Sequence, residues 1–170
     1  AAYDIDVLLA GGVSVKVPLD ESWTYDLEGV EHAITDKTRM VLLCNPNNPT
    51  GTFLTTAQIR VFLQKIENTG ILVVIDEAYR DFVNCEDFEV SSSLVSEFDN
   101  VVLLRTFSKA FGMAGLRLGY GLARPEIVDA VNKVVAEFSV SSLSQAVGVA
   151  MLQDEAIMAD LKAKRDIIVA

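Results

Sequence analysis

Histidine and cysteine are scarce in this 170-residue chain: one histidine, His32, and two cysteines, Cys44 and Cys85, with 40 residues (45–84) between them. Neither zinc-type ligand spacing nor a disulfide framework can be written with that set, so no metal site is expected and a reducing cytoplasm fits best. Positive charge is also in short supply. Fourteen Lys and Arg stand against 24 Asp and Glu, a formal net charge of -10 with a pI near 4.5. That balance argues against a nucleic-acid groove or an anionic membrane surface as partner, because both need clustered basic side chains. The longest apolar runs fall far short of the roughly 20 residues a membrane-spanning helix requires. The opening AAYDID lacks the basic segment that starts a signal peptide. Internal repeats and low-complexity tracts are absent as well.

What is present is enough apolar material for one sizeable core, 51% of residues with 22% charged. Short β-rich runs alternate with helical patterns, the signature of a parallel sheet with crossover helices. Strands are expected at residues 13–17, 39–44, 71–75, 101–105 and 116–122. Three of them, RMVLLC, ILVVI and VVLLR, are nearly continuous in apolar residues, as strands covered on both faces are. Helices are expected at 26–34, 55–68, 125–138, and from Ser142 nearly to the end with a break near Asp154. Ala1 to Ala10 reads as the tail of a helix closed by Gly11-Gly12. The 55–68 segment carries a capping box, Thr55 with Gln58, then Ile59, Phe62, Leu63 and Ile66 at helical spacing, and Gly70 as the stop. Only ten residues, TFSKAFGMAG, separate Arg105 from Leu116. A parallel return needs a dozen or more, so the last strand is expected to run antiparallel.

Parallel strands present their C-terminal ends along one edge, where open α/β sheets bind ligands. That edge receives CNPNNPTG after the second strand, Asp76-Glu77-Ala78-Tyr79 after the third, Thr106-Phe107-Ser108-Lys109 after the fourth, and Arg117 at the start of the fifth. Arg117, Ser108 and Thr106 suit a phosphate, a forked cation with neutral hydroxyl donors. Asp76 at the end of an apolar strand favours a protonatable partner. Lys109 beside Arg117 suits an amine nucleophile that forms a Schiff base, and Asn48 and Tyr79 can hydrogen-bond an oxyanion. Plainer readings compete: NPNNPTG as a simple turn, Asp76 as a helix cap, Tyr79 as packing, Lys109 as a solvated lysine, Arg117 paired across the sheet. Cys44 reads as a small apolar residue closing its strand, His32 as solvent-facing, and the glycines 112, 115, 119 and 121 as space for close backbone packing.

CNPNNPTG, DEAY and TFSKAFGMAGLRLGY, in this order, closely resemble the fold type I aminotransferases of the class I and II group, and among them best the histidinol-phosphate aminotransferases. The resemblance covers nearly the whole chain. It implies pyridoxal 5'-phosphate as cofactor, bound as a Schiff base to Lys109, which also shuttles the substrate proton. It implies that Asp76 keeps the pyridine nitrogen protonated, that Tyr79 and Asn48 hydrogen-bond the phenolic oxygen, and that Arg117, Ser108 and Thr106 bind the phosphate. The implied fold is an α/β three-layer α/β/α sheet, mostly parallel with one antiparallel strand, as a partial large domain over residues 1–138. Residues 139–170 would be a helical segment leading toward a small domain. The implied reaction exchanges an amino group between a small-molecule donor and a 2-oxo acid, histidinol phosphate and 2-oxoglutarate first, in a homodimeric cytoplasmic enzyme of histidine biosynthesis. Aromatic amino-acid aminotransferases and threonine-phosphate decarboxylases share the same core, and an inactive α/β module is the alternative from a different class. Family enzymes run to about twice this length, so this chain alone is expected to be a weak catalyst or none.

Overall fold

The computed structural model describes residues 2–84 and 91–169, which leaves Cys85 outside the described residues. Its centre is a four-stranded sheet: β1 (Met40–Cys44), β2 (Leu72–Asp76), β3 (Val101–Thr106) and β4 (Gly119–Leu122), in that spatial order. β1, β2 and β3 are mutually parallel, and β4 returns antiparallel to β3 with Thr106 opposite Gly119. The short connection between them therefore does what its length predicts. Among the described residues seven α-helices accompany the strands: α1 (Ala2–Leu9), α2 (Leu27–His32), α3 (Thr56–Ile66), α4 (Ser92–Glu97), α5 (Pro125–Asn132), α6 (Ser142–Gln153) and α7 (Glu155–Val169).

Alternation along the strands decides which side chains meet the core. Val41, Leu43, Val73, Ile75, Val101 and Leu103 point to one face and are buried against Ile59, Phe62, Leu63 and Ile66 of α3 and against Leu94 and Phe98 at α4. On the opposite face burial is less complete: Val74 is buried, Leu42 and Val102 are intermediate, and Leu104 is 37% exposed. α3 forms where the capping box puts it. Thr55 Oγ1 accepts the Gln58 N–H while Gln58 Oε1 accepts the Thr55 N–H at 2.8 Å, so two end donors are satisfied before the apolar stripe begins. Thr55→Ala is expected to lower stability by about 1 kcal/mol, the usual worth of such a cap, read as a shift of the urea midpoint at unchanged slope.

Three sequence expectations need correction. Residues 13–17 form no strand: Val13 and Val15 are 86% and 71% exposed, and nothing pairs with them beyond a single bridge further on, Leu19 to Tyr25. Alternating VSVKV has strand propensity, but a strand forms only by pairing, and these residues join neither outer edge of the sheet, β1 or β4. The helix expected over 125–138 ends at Asn132, before the β-branched pair Val134-Val135. Likewise β4 starts at Gly119 and not at Leu116, because Ala114–Leu116 form a short 3-10 turn. The break at Asp154 occurs as expected, with its carboxylate accepting the N–H groups of Ala156 and Ile157.

Candidate active site

All the candidate residues lie at the C-terminal edge of the parallel strands, and each is delivered there by a different local device. After β1 the CNPNNPTG loop divides its asparagines between structure and site. Asn45 is buried and makes both halves of a strand-like pairing with Leu54: its Nδ2 donates to the Leu54 carbonyl and its Oδ1 accepts the Leu54 N–H at 2.7 Å. Asn47 ties the turn, donating to Thr50 Oγ1 and accepting from Tyr25 Oη. Asn48 alone faces outward, and its Nδ2 donates to Tyr79 Oη at 3.0 Å. Both X-Pro bonds of the loop, Asn45–Pro46 and Asn48–Pro49, are cis.

β2 ends in two carboxylates with opposite fates. Because successive side chains alternate, Asp76 emerges on the less covered face and Glu77 turns back toward the core. Glu77 is 2% exposed and accepts from Arg105 Nε at 2.7 Å, with Arg80 at 3.9 Å. Burial pushes its carboxyl above the usual glutamate range, against the downward pull of Arg105 and Arg80. Asp76 Oδ1 accepts the Ala78 N–H at 2.9 Å, and its Oδ2 accepts a hydrogen bond from the phenol of Tyr3 on α1.

After β3, Phe107 and Met113 are buried and pin a loop in which Lys109 and Gly112 are exposed. Phe107 N–H bonds the Leu118 carbonyl, Met113 N–H the Phe107 carbonyl, and the Phe107 ring rests on Phe111 with centroids 4.9 Å apart. Lys109 is therefore exposed, and its Nζ sits 5.1 Å from the centre of the Tyr79 ring. Thr106 Oγ1 accepts the Ser108 N–H at 3.0 Å, which shapes the turn before the lysine. Arg117 adopts the left-handed region (φ 50°) and donates to the Ala114 carbonyl at 3.0 Å. Gly119 then allows β4 to close on β3, since a Cβ there would lie 2.8 Å from the Arg105 carbonyl oxygen.

Asp76, Thr106, Ser108, Lys109 and Arg117 line one cavity of about 360 Å³. Asn48 and Tyr79 line the adjoining cavity instead, and Tyr79 connects the two through its contact with Lys109. The seven candidates thus gather at one edge, five around a common space and two at its rim. Cys44, half-buried with its thiol pushed up by burial, closes β1 beside them, and His32 is exposed on α2. Sequence reasoning missed two contributors. Glu77 was legible only through strand alternation, which places adjacent acids on opposite faces. Tyr3 carried no local signal at all, because its partner lies 73 residues away. Among the described residues no group of three or more His, Cys, Asp or Glu is placed to hold a metal ion, and no helix is long and apolar enough to cross a membrane.

Residues 1–170 match the family model described as aminotransferase class I and II. Over 152 residues the chain is 47% identical to an aromatic amino acid aminotransferase of Corynebacterium efficiens, covering 89% of this chain and 44% of that protein. Over 150 residues it is 49% identical to an aromatic amino acid aminotransferase of Mycobacteroides abscessus, covering 88% and 42%. The crystal structure of histidinol-phosphate aminotransferase from Sinorhizobium meliloti in complex with pyridoxal-5'-phosphate superposes with a TM-score of 0.85 at 32% identity, covering 95% of this chain and 44% of that one. The chain thus spans less than half the length of each of these proteins.

Proposed function

The chain belongs to the aminotransferase class I and II family, and from that premise we propose that its sheet edge is the cofactor-binding half of a pyridoxal-phosphate-dependent aminotransferase. One observation carries the reading: a carboxylate, an amine, a guanidinium and two hydroxyls from three separate chain segments line a single cavity. That donor set fits the group. Arg117 and Ser108 would hold the phosphate, with Thr106 shaping the turn through its bond to the Ser108 N–H. Asp76 would accept from the ring nitrogen. Asn48 and Tyr79, already hydrogen-bonded to each other, would present their remaining donor capacity to the phenolic oxygen.

When bound, the cofactor supplies an electron sink for the carbanion that forms at the substrate Cα. The chain's own residues supply the rest. Lys109 would be the residue that anchors the cofactor, and its Nζ would take and return the proton at the substrate Cα. Asp76 would offer an acceptor to a protonated ring nitrogen. The Tyr79 ring, 5.1 Å from Lys109 Nζ, would give the amine an aromatic face to rest against.

For the amino donor we favour an aromatic amino acid, with a 2-oxo acid as acceptor. The support is the identity of 47–49% to aromatic amino acid aminotransferases. Histidinol phosphate is the second reading, supported by the NPNNPTG and SKAF motifs and by the S. meliloti structure. Two measurements test these readings. Borohydride reduction in the presence of pyridoxal phosphate is expected to leave one pyridoxyl group, mapped to Lys109; label spread over surface lysines would make the inert α/β module the better account. Transamination by the intact protein is expected to run faster with phenylalanine or tyrosine than with histidinol phosphate, and the reverse order would transfer the assignment to the second donor.

A further inference from the structure

We propose that Tyr3 is a positioning residue for Asp76, its phenol fixing the carboxylate in the orientation that receives the protonated ring nitrogen; this rests on the cofactor reading above. Asp76 sits at the last position of β2, where the ladder ends and a carboxylate would otherwise rotate freely. Two donors prevent that. The Ala78 N–H takes Oδ1 at 2.9 Å, and Tyr3 Oη takes Oδ2 from α1, an element 73 positions away in sequence. With one donor on each oxygen the plane of the carboxylate is set, and of its roughly four lone-pair sites about two remain for a further N–H.

The chemistry of the second donor matters. A lysine or arginine in that place would neutralise Asp76 and compete with the ring nitrogen for its charge. A phenol orients without supplying a countercharge, provided that it stays protonated. Burial, reinforced by the negative charge of Asp76, holds the Tyr3 hydroxyl well above the ordinary tyrosine range, so it is a neutral donor at every working pH. Tyr3 also belongs to a wider set of phenols at this edge. Tyr25 Oη accepts the Cys44 N–H at 2.9 Å and thereby holds the end of β1, the strand paired with β2 in register at Cys44 and Asp76.

Tyr3→Phe removes one oxygen and keeps the ring. The test titrates the intact protein, wild type and variant, with pyridoxal phosphate and with the analogue in which the ring nitrogen is replaced by C–H. For pyridoxal phosphate the variant is expected to bind about 5- to 20-fold more weakly, at the low end for a hydrogen bond to a charged group because the Ala78 N–H still holds Oδ1. For the analogue, which makes no demand on Asp76, the change is expected to stay within about twofold, and in an Asp76→Ala background Tyr3→Phe is expected to change pyridoxal phosphate affinity equally little. An equal loss for both ligands, a loss that persists in the Asp76→Ala background, or no loss at all overturns the proposal. The borohydride label separates this from the parent reading: Lys109 labelled in wild type without selective loss in the variant removes only the role of Tyr3, whereas no label on Lys109 in wild type removes both.

Discussion

Lys109→Ala is expected to reduce the transamination rate of the intact protein by about 10²- to 10⁴-fold through loss of the proton-moving amine alone, and to abolish the borohydride label. The expectation follows from the loop that carries the residue. Phe107 and Met113 are buried and the Phe107 carbonyl accepts the Met113 N–H, so the backbone between them is fixed by packing that does not involve the lysine. Removing the side chain should leave the cavity and its phosphate donors in place. Cofactor binding is therefore expected to weaken without disappearing, because Arg117, Ser108 and Asp76 still line the cavity. A small exogenous amine should restore part of the lost rate, since it can occupy the space left beside the Tyr79 ring and move the same proton. A variant that retained most of its activity would show that another base does this work. The checks are kcat with and without added amine, and a cofactor titration followed by absorbance.

Glu77→Ala is expected to have the largest effect on stability, a loss of about 3–5 kcal/mol, the cost of leaving a charge buried without its partner. Arg105 reaches Glu77 across 2.7 Å from the neighbouring strand, with side chains only 12% and 1% exposed, so deleting the carboxylate strands the guanidinium inside the sheet end. Arg80 loses its weaker contact at the same time. Replacing the pair with apolar residues of similar volume should cost far less, because nothing charged then remains to be solvated. The pH dependence has a defined sign. Burial raises the Glu77 carboxyl above its unfolded value, so the folded state binds this proton more readily than the unfolded chain does. The contribution of that protonation is fully present below the unfolded glutamate pKa of about 4.3 and is lost as pH rises through the higher folded value. Relative to Glu77→Gln, wild type is therefore expected to lose stability as pH climbs through this window. Urea unfolding of the two proteins over a pH series measures the difference directly.

The two carboxylates of DEAY show how far the primary structure reaches. That an acid ends β2 is written in the chain, and so is the alternation that must separate Asp76 from Glu77. Which of the two faces the cavity depends on which side α3 covers, and α3 is placed by its own apolar stripe packing on Val73 and Ile75. The NPNNPTG loop behaves similarly. Its composition announces a turn, yet only the structure divides the labour, with Asn45 copying a strand partner, Asn47 tying the turn and Asn48 reaching Tyr79. Residues 13–17 mark the opposite case, where local alternation has the right period yet the segment pairs with neither outer strand of the sheet.

The strands, the capped helix α3, the antiparallel return and the chemical identity of the edge residues were determined by the sequence alone, because hydrophobic period, cap chemistry and loop length act over a few neighbouring positions. Tertiary structure alone decided that five of those residues share one cavity while Asn48 and Tyr79 stand at its rim, and that Tyr3 clasps Asp76. Contacts between segments tens of residues apart are set by how whole elements pack, and no local pattern in the chain encodes the direction in which a side chain at the end of a strand finally points.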